Sequence, residues 1–474
     1  MVNNLQSINH SWYDTGTIPL VLLLIVCIAA LVALRWGKPL ADYLRRRKLS
    51  VLKYSSWEAA TGYVFGKTNL GRIAHSPIDR EGIHTLYLGG TGTGKTSAGL
   101  VPTLSHFDGN FLAIDISGDI SAAVEKPGSL AFAPCEAATS LYNVFGIIDA
   151  LAGNVQAQHE QLEKLAYLLM PDIPGASDAS LYFNTEGRKI LTAALSAFYF
   201  AGLDFCDICR MIVASSPSEL FRAIDALENE AASMLINSFR GTSEANTSGC
   251  AQNAATAVKL FATNENLRKS LRRPVGCESS ITPASLESHS VFLNIPEAML
   301  DVYAPLLRII VSQHLAYFSG RSIGASPALM LALDEFPSLS IDATAIVSAL
   351  QRFRKRNVSI MVVAQSMVSL DRIYGPVTRK DMLNNFTYKV VLHAGDADTQ
   401  LEIARMIGHK TEQQITRTSG RSGTSTTVKD EQVWAVEPEE LSRLNNHLIL
   451  IHPAGYEKLK KTPYYKYKQT NPGD

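Results

Sequence analysis

Lys95 and Thr96 close the stretch Leu88–Ser97, LGGTGTGKTS, in which Gly89, Gly94, Lys95 and Thr96 keep the spacing G-x-x-x-x-G-K-[ST]. Glycines let a chain curl until successive N–H groups aim at one anion, and a helix that follows presents its positive end. The expected binding loop is Gly89, Gly90, Thr91, Gly92, Thr93, Gly94, Lys95, Thr96 and Ser97, holding a nucleoside triphosphate. Lys95 would reach the β- and γ-phosphates, and Thr96 would ligate Mg²⁺. A Gly/Thr-rich surface turn is the bland alternative. The strand-like run IHTLYL before the loop and the helix-forming SAGLVPTLS after it weigh against that. Pro102 must sit near the start of that helix or bend it.

Hydrolysis needs acids as well. ALMLALDEFPSL, residues 328–339, is an apolar run ending in Asp334 and Glu335. Such a run reads as a buried parallel strand that delivers carboxylates at its C-terminal end. Asp334 is expected to hold Mg²⁺, and Glu335 to polarise the attacking water. A plain acidic turn is the alternative for this stretch taken alone. The next apolar run, VSIMVVA at 358–364, ends on Gln365, which can sense a γ-phosphate or orient water. The cluster QRFRKR before it is either a solvated helix end or, in a ring of subunits, the source of an arginine for a neighbour's nucleotide. Arg354 is the candidate.

These groups need a scaffold. The chain has 474 residues, 46% of them hydrophobic, and a formal net charge of zero. It can bury a large core, and its charge neither suggests nor excludes nucleic acid as partner. Strand-like runs at 110–116, 130–134, 289–295, 387–394 and 447–452 alternate with helical patterns, which reads as α/β. The last of these is expected to be the final strand. Residues 151–275 are rich in Ala, Leu and Glu at helical spacing and read as an all-α insertion. Within it, GTSEANTSG is expected to cap or separate helices. Residues 416–429, TRTSGRSGTSTTVK, read as a mobile polar loop.

At the N-terminus, Ile18–Leu34 is an uncharged apolar run at the short end of the spanning range, roughly 17–25 residues. No Lys or Arg precedes it, and seven follow by Lys53. The asymmetry puts residues 1–17 outside and the body in the cytoplasm, with one span at 18–34. A cleaved signal peptide would need a positive n-region, which is missing. Residues 35–60 read as a basic, partly helical linker. The six cysteines are few and scattered, as suits a reducing compartment. Cys206 and Cys209 form one C-x-x-C without a companion pair at metal spacing, so they read as helix-face thiols.

The combination of GGTGTGKTS followed by Val101-Pro-Thr-Leu104, then IDISGD, LYNVF, LDEFPSL, RKRNVSIMVVAQS with LDRIYG, and PEELSRL, resembles the coupling proteins of bacterial type IV secretion, the TraG/TraD-like DNA-transfer ATPases. The resemblance covers roughly residues 60–465. It implies a RecA-like P-loop NTPase domain, split into 61–150 and 276–474 around the all-α insertion at 151–275, behind an N-terminal transmembrane helix. It further implies a homo-hexamer on the bacterial inner membrane that uses ATP and Mg²⁺. Such an ATPase passes relaxosome-bound single-stranded DNA, secreted proteins or both to the channel subunits. Carried over residue by residue, the catalytic set is Lys95, Glu335, Gln365 and Arg354, with Thr96 and Asp334 on the metal. Members of the family commonly have two membrane spans, and only one is evident here. A coupling ATPase for proteins alone, and a passive nucleotide-binding receptor, stay open as alternatives. The paired Asp334 and Glu335 weigh against the receptor.

Overall fold

The computed structural model describes residues 51–467, except 78–81, 137–138, 173–174, 277, 340 and 421–422. The apolar run at 18–34, Cys27 and Cys277 lie outside the described residues. Among those described, no helix is long and apolar enough to cross a membrane.

One mixed sheet organises the body. Its strands are β1 (Val64–Lys67), β2 (Ile73–His75), β3 (His84–Leu88), β4 (Asn110–Asp115), β5 (Leu130–Phe132), β6 (Val291–Asn294), β7 (Leu329–Leu333), β8 (Val358–Ala364) and β9 (Tyr388–Val391). A separate hairpin, β10 (His409–Gly420) and β11 (Gly423–Trp434), stands apart from it, and β12 (His447–His452) and β13 (Gly455–Lys460) rejoin it. Seven strands run parallel in the order β5-β6-β4-β7-β8-β3-β9. An antiparallel flank, β12-β13-β1-β2, continues beyond β9. Every residue of β7 and β8 is buried. Their unbroken apolar runs follow from that, since a central parallel strand has no solvent face.

The chain leaves this sheet and returns at one place. Leu141–Tyr142 and Ser280–Ile281 pair in parallel, and between them, among the described residues, lie one helical turn at Gly146–Asp149 and seven longer helices: α1 (Val155–Leu169), α2 (Asp178–Phe200), α3 (Phe205–Ala214), α4 (Pro217–Asp225), α5 (Glu230–Asn237), α6 (Glu244–Thr263) and α7 (Glu265–Ser270). All of the longer ones but α3 start at a short polar side chain that accepts a backbone N–H: Asn154, Ser177, Ser216, Asn229, Ser243 and Asn264. Each cap satisfies a donor that the first helical turn would leave orphaned. GTSEANTSG is thus divided. Ser243 caps, and Glu244 onward is already helix. Cys206 and Cys209 lie on the buried face of α3, where burial pushes the Cys206 thiol up to about 12 and Cys209 well above the usual range. Side chains of this bundle join those of the sheet in one apolar core. The remaining long helices are α8 (Leu300–Gly320), α9 (Ala343–Arg352), α10 (Met367–Asn385) and α11 (Ala397–Ile407).

Three local expectations change. The polar stretch at 416–429 is not a loop: it pairs within β10 and β11, in register from His409–Trp434 to Gly420–Gly423. Its threonines and valine are β-branched and suit a strand, and the His409 and Trp434 rings stack at 4.0 Å at its base. β12 is followed by β13, whose polar alternation in GYEKLK buries Leu459 and hides the strand from a hydropathy reading. The linker expected to reach residue 60 stops earlier. Ala60 is buried, and the Trp57 ring stacks on Tyr467 at 4.1 Å.

Candidate active site

The strand registers place the candidate residues in a row. β4 and β6 pair Asp115 with Asn294. β4 and β7 pair Ala113 with Ala332, so Asp115 and Asp334 come level just beyond. β8 and β3 pair Ala364 with Leu88, and the Gly89 N–H donates to the Ala364 carbonyl at 3.1 Å. β3 and β9 pair Leu88 with Val391. Asn294, Asp115, Asp334, Gln365, Gly89 and His393 therefore follow one another along the carboxyl edge of the parallel sheet, where open α/β sheets bind ligands.

The loop leaves β3 at that edge. Gly92 and Gly94 have φ of +73° and +96°, a region that favours glycine. A Cβ on Gly89 would stand 2.5 Å from the Thr93 hydroxyl oxygen, so that position too needs glycine. The Thr93 hydroxyl donates to the Gly90 carbonyl at 2.7 Å, and Lys95 Nζ donates to the same carbonyl at 3.2 Å. The helix that follows opens as a π turn over Thr96–Leu100 and tightens to α at Val101–Ser105. Pro102 supplies the reason: it has no N–H for the Ala98 carbonyl and its ring would crowd it. Gly99 lets this turn lie against β3, because a Cβ there would come 2.8 Å from the Tyr87 ring.

Asp334 directly follows β7 and is 3% exposed. Burial pushes its carboxyl up to about 6, with the nearby Glu335 and Asp115 charges adding to the rise. The Glu335 N–H, which donates to Asp334 Oδ1 at 3.0 Å, and the Lys95 charge pull it back. Glu335 is half-buried with φ of +46°, a strained conformation for a residue with a Cβ. The turn is pinned by Phe336, buried and stacked on Tyr374 at 5.3 Å.

Gln365 is exposed at the end of β8, next to the start of the loop. Arg354 is not in the row. It is exposed in the turn Phe353–Arg356 that precedes β8, at the opposite edge of the sheet, and its backbone crowds Gly82 ahead of β3. It cannot serve this chain's own loop from there.

Three neighbours were not assigned roles from sequence. Asp115 is 1% exposed and accepts from the Gly118 N–H, the Ser121 N–H and the Ser121 hydroxyl at 2.9, 2.8 and 2.8 Å. Its signal was the acid that ends NFLAID. Asn294 reaches Ser121 through its amide nitrogen at 3.3 Å, and its Oδ1 is buried without a partner. Lys461 Nζ donates to the Thr93 carbonyl at 2.8 Å. No local pattern announces that lysine, which is 368 residues from the loop it touches.

A family profile described as type IV secretory system conjugative DNA transfer matches residues 46–471. Protein VirD4 of Agrobacterium fabrum is 24% identical over 433 residues, and the alignment covers 85% of this chain and 62% of that relative's length. The type IV secretion system-coupling protein VirD4 of Bartonella quintana is 21% identical, with 85% and 67% covered. The chain thus spans about two thirds of the length of these relatives. Among solved structures, the unbound bacterial conjugative coupling protein TrwBdeltaN70 superposes with a TM-score of 0.66 at 16% identity, covering 87% of this chain and 94% of that one. Plasmid coupling protein TrwB in complex with ADP and Mg²⁺ superposes with a TM-score of 0.61 at 17% identity, covering 80% and 85%. At these identities the likeness is one of fold.

Proposed function

Because the chain belongs to the type IV secretory system conjugative DNA transfer family, we propose that it is an ATPase that couples a substrate to a type IV secretion channel. The substrate read here is relaxosome-bound single-stranded DNA, with secreted proteins as the alternative cargo. One observation carries the proposal. The phosphate-binding loop and an acidic pair, Asp334 buried and Glu335 half-buried, lie on the same carboxyl edge of one parallel sheet, although 239 residues separate Lys95 from Asp334 (334 minus 95). Known relatives support the reading: the solved TrwB binds ADP and Mg²⁺.

The residues fit a divalent cation. Asp334 is desolvated and flanked by two further carboxylates, Glu335 and Asp115, so its charge is poorly compensated by Lys95 alone. Thr96 and Asp334 would hold the cation, which when bound neutralises charge on the β- and γ-phosphates. The loop N–H groups and Lys95 hold and orient the phosphates. Glu335 aligns a water and accepts its proton at the carboxylate. Gln365 stands level with the loop, in place to orient the same water.

The location of Arg354 supports a ring. An arginine across the sheet from its own loop is consistent with a role toward a neighbour's nucleotide, which a homo-hexamer would supply. Residues 18–34 are assigned as a single inner-membrane span, with the body in the cytoplasm, on the strength of the flanking charge asymmetry.

The test is ATP turnover by the purified chain with and without single-stranded DNA, over a range of protein concentration. Stimulation by DNA that rises with concentration, and its loss in Lys95→Ala, is expected. In Glu335→Gln, turnover should fall by about 10²–10⁴-fold with ATP still bound. Full turnover in that variant would overturn the assignment. Turnover indifferent to DNA would move the cargo to proteins.

A further inference from the structure

Between α1 of the helical insertion and α8, α9 and α10 of the nucleotide-binding domain lies a cavity of about 670 Å³. Among the described residues, none that lines it belongs to the phosphate loop or the acidic pair. Its walls are largely apolar, with Ile148, Leu165, Leu168, Ile341 and Ile373. Into them α8 sets two polar side chains one turn apart, Arg308 and Ser312. Arg308 Nε and Ser312 Oγ are both buried without a hydrogen-bond partner among the described residues. We propose that this cavity is a binding site for a small apolar carboxylate, held by Arg308 and Ser312, whose occupancy lowers ATP turnover. The site stands on its own geometry, and its effect on turnover rests on the ATPase reading above.

Arg308 decides the class of ligand. Its one hydrogen bond among the described residues, from Nη1 to the Leu168 carbonyl, is long at 3.4 Å. Burial pulls its guanidinium below the usual arginine value, and no carboxylate offsets this. The two acids in the lining are engaged elsewhere. Asp172 pairs with Arg188 at 2.5 Å, and Asp342 accepts the Ala345 N–H at 2.7 Å at the start of α9. A guanidinium takes a carboxylate as a fork, and a hydroxyl one turn along the same helix face can donate to it as well. The rest of the ligand must be apolar, because polar atoms set against Ile148, Leu165 and Ile373 would lose water without gaining partners. Size agrees, since small-molecule pockets run to about 300–1,000 Å³.

One ring joins this cavity to the acidic turn. Tyr374 lines the cavity and stacks on Phe336, the residue after Glu335. α10 breaks just beyond Tyr374, at Gly375 with φ of +75° and at Pro376, so Ile373 and Tyr374 are not rigidly tied to the second half of that helix. An occupant bearing on Tyr374 displaces Phe336, and with it the carboxylate that aligns the water.

Calorimetry on the full chain in detergent compares naphthylacetate with naphthylacetamide, which keeps the body and lacks the charge. The acid should bind about tenfold more tightly, the scale of one charge-assisted hydrogen bond. Arg308→Gln should remove that preference. Ala316→Trp, at an exposed position of the lining, fills the cavity from its mouth and should abolish binding without disturbing the core. Saturating acid should lower ATP turnover in the unaltered chain and leave that of Ala316→Trp unchanged. Equal affinity for acid and amide, no binding at millimolar acid, or undiminished binding by Ala316→Trp overturns the site. Binding without loss of turnover upholds the site and overturns its link to Glu335. A chain that binds the acid but hydrolyses no ATP upholds the site and contradicts the ATPase reading alone.

Discussion

Burial gives Asp334 its pH dependence. Its carboxyl titrates at about 6 in the folded chain and in the ordinary Asp range when unfolded. The folded state therefore holds its proton to higher pH. Its contribution to stability is greatest below the unfolded value, falls as pH rises from about 4 to about 6, and is level above that. Asp334→Asn should consequently be more stable than the unaltered chain at pH 7.5, with the gap closing toward pH 4 in urea titrations. Cation binding needs the ionised form, so Mg²⁺-dependent turnover should decline through about pH 6, and more Mg²⁺ should move that midpoint downward. A midpoint near 4, insensitive to Mg²⁺, would detach Asp334 from the metal. Glu335 offers a second test. Its φ of +46° is a strained conformation for a residue with a Cβ. Glu335→Gly should abolish turnover while raising unfolding stability by about 1 kcal/mol, the scale of the strain relieved. A loss of stability would show that the carboxylate also holds the turn together.

At the scale of elements, the site depends on how β7 is anchored. Arg321, just after α8, is 7% exposed and pairs with Glu287 through Nε at 2.9 Å. It also donates to the carbonyls of Ala325, Arg356 and Pro327, which fixes the entry to β7 and the turn before β8 together. Arg321→Met strands a carboxylate and three carbonyls, so a loss of about 3 kcal/mol is expected in chemical denaturation. A change within about 0.5 kcal/mol would mean that the neighbours collapse around the gap. The same scale separates readable elements from unreadable ones. β7 and β8 were legible because a strand buried on both faces has to be apolar throughout. β10, β11 and β13 were not, because strands rich in Thr and Lys look like loops until their partners are known.

For the whole molecule, the question is whether two chains complete one site. Arg354 and the loop stand at opposite edges of the sheet, so a chain cannot use its own Arg354. Arg354→Ala and Glu335→Gln should each lose turnover alone, and mixing them should restore part of it. An Arg354→Ala subunit keeps its acid and can borrow the arginine of a Glu335→Gln neighbour. No recovery on mixing, with both variants assembled, would remove Arg354 from the shared site.

Residue order alone settled what depends on neighbours in the chain. The loop's backbone path is a matter of consecutive glycines, and the capped helices of 155–270 are a matter of period and polar starts. The π turn ahead of Pro102 has a local cause too, in the N–H that proline lacks. Folding decided everything that depends on strand order. β3 and β4 are consecutive in sequence but separated in the sheet by β8 and β7, which puts Asp334 between the loop and Asp115. Lys461 meets Thr93 because the last strands fold back beside β9 and β1. Such contacts leave no periodicity or spacing in the chain, since the residues they join are placed by hydrogen-bonded partners hundreds of positions away.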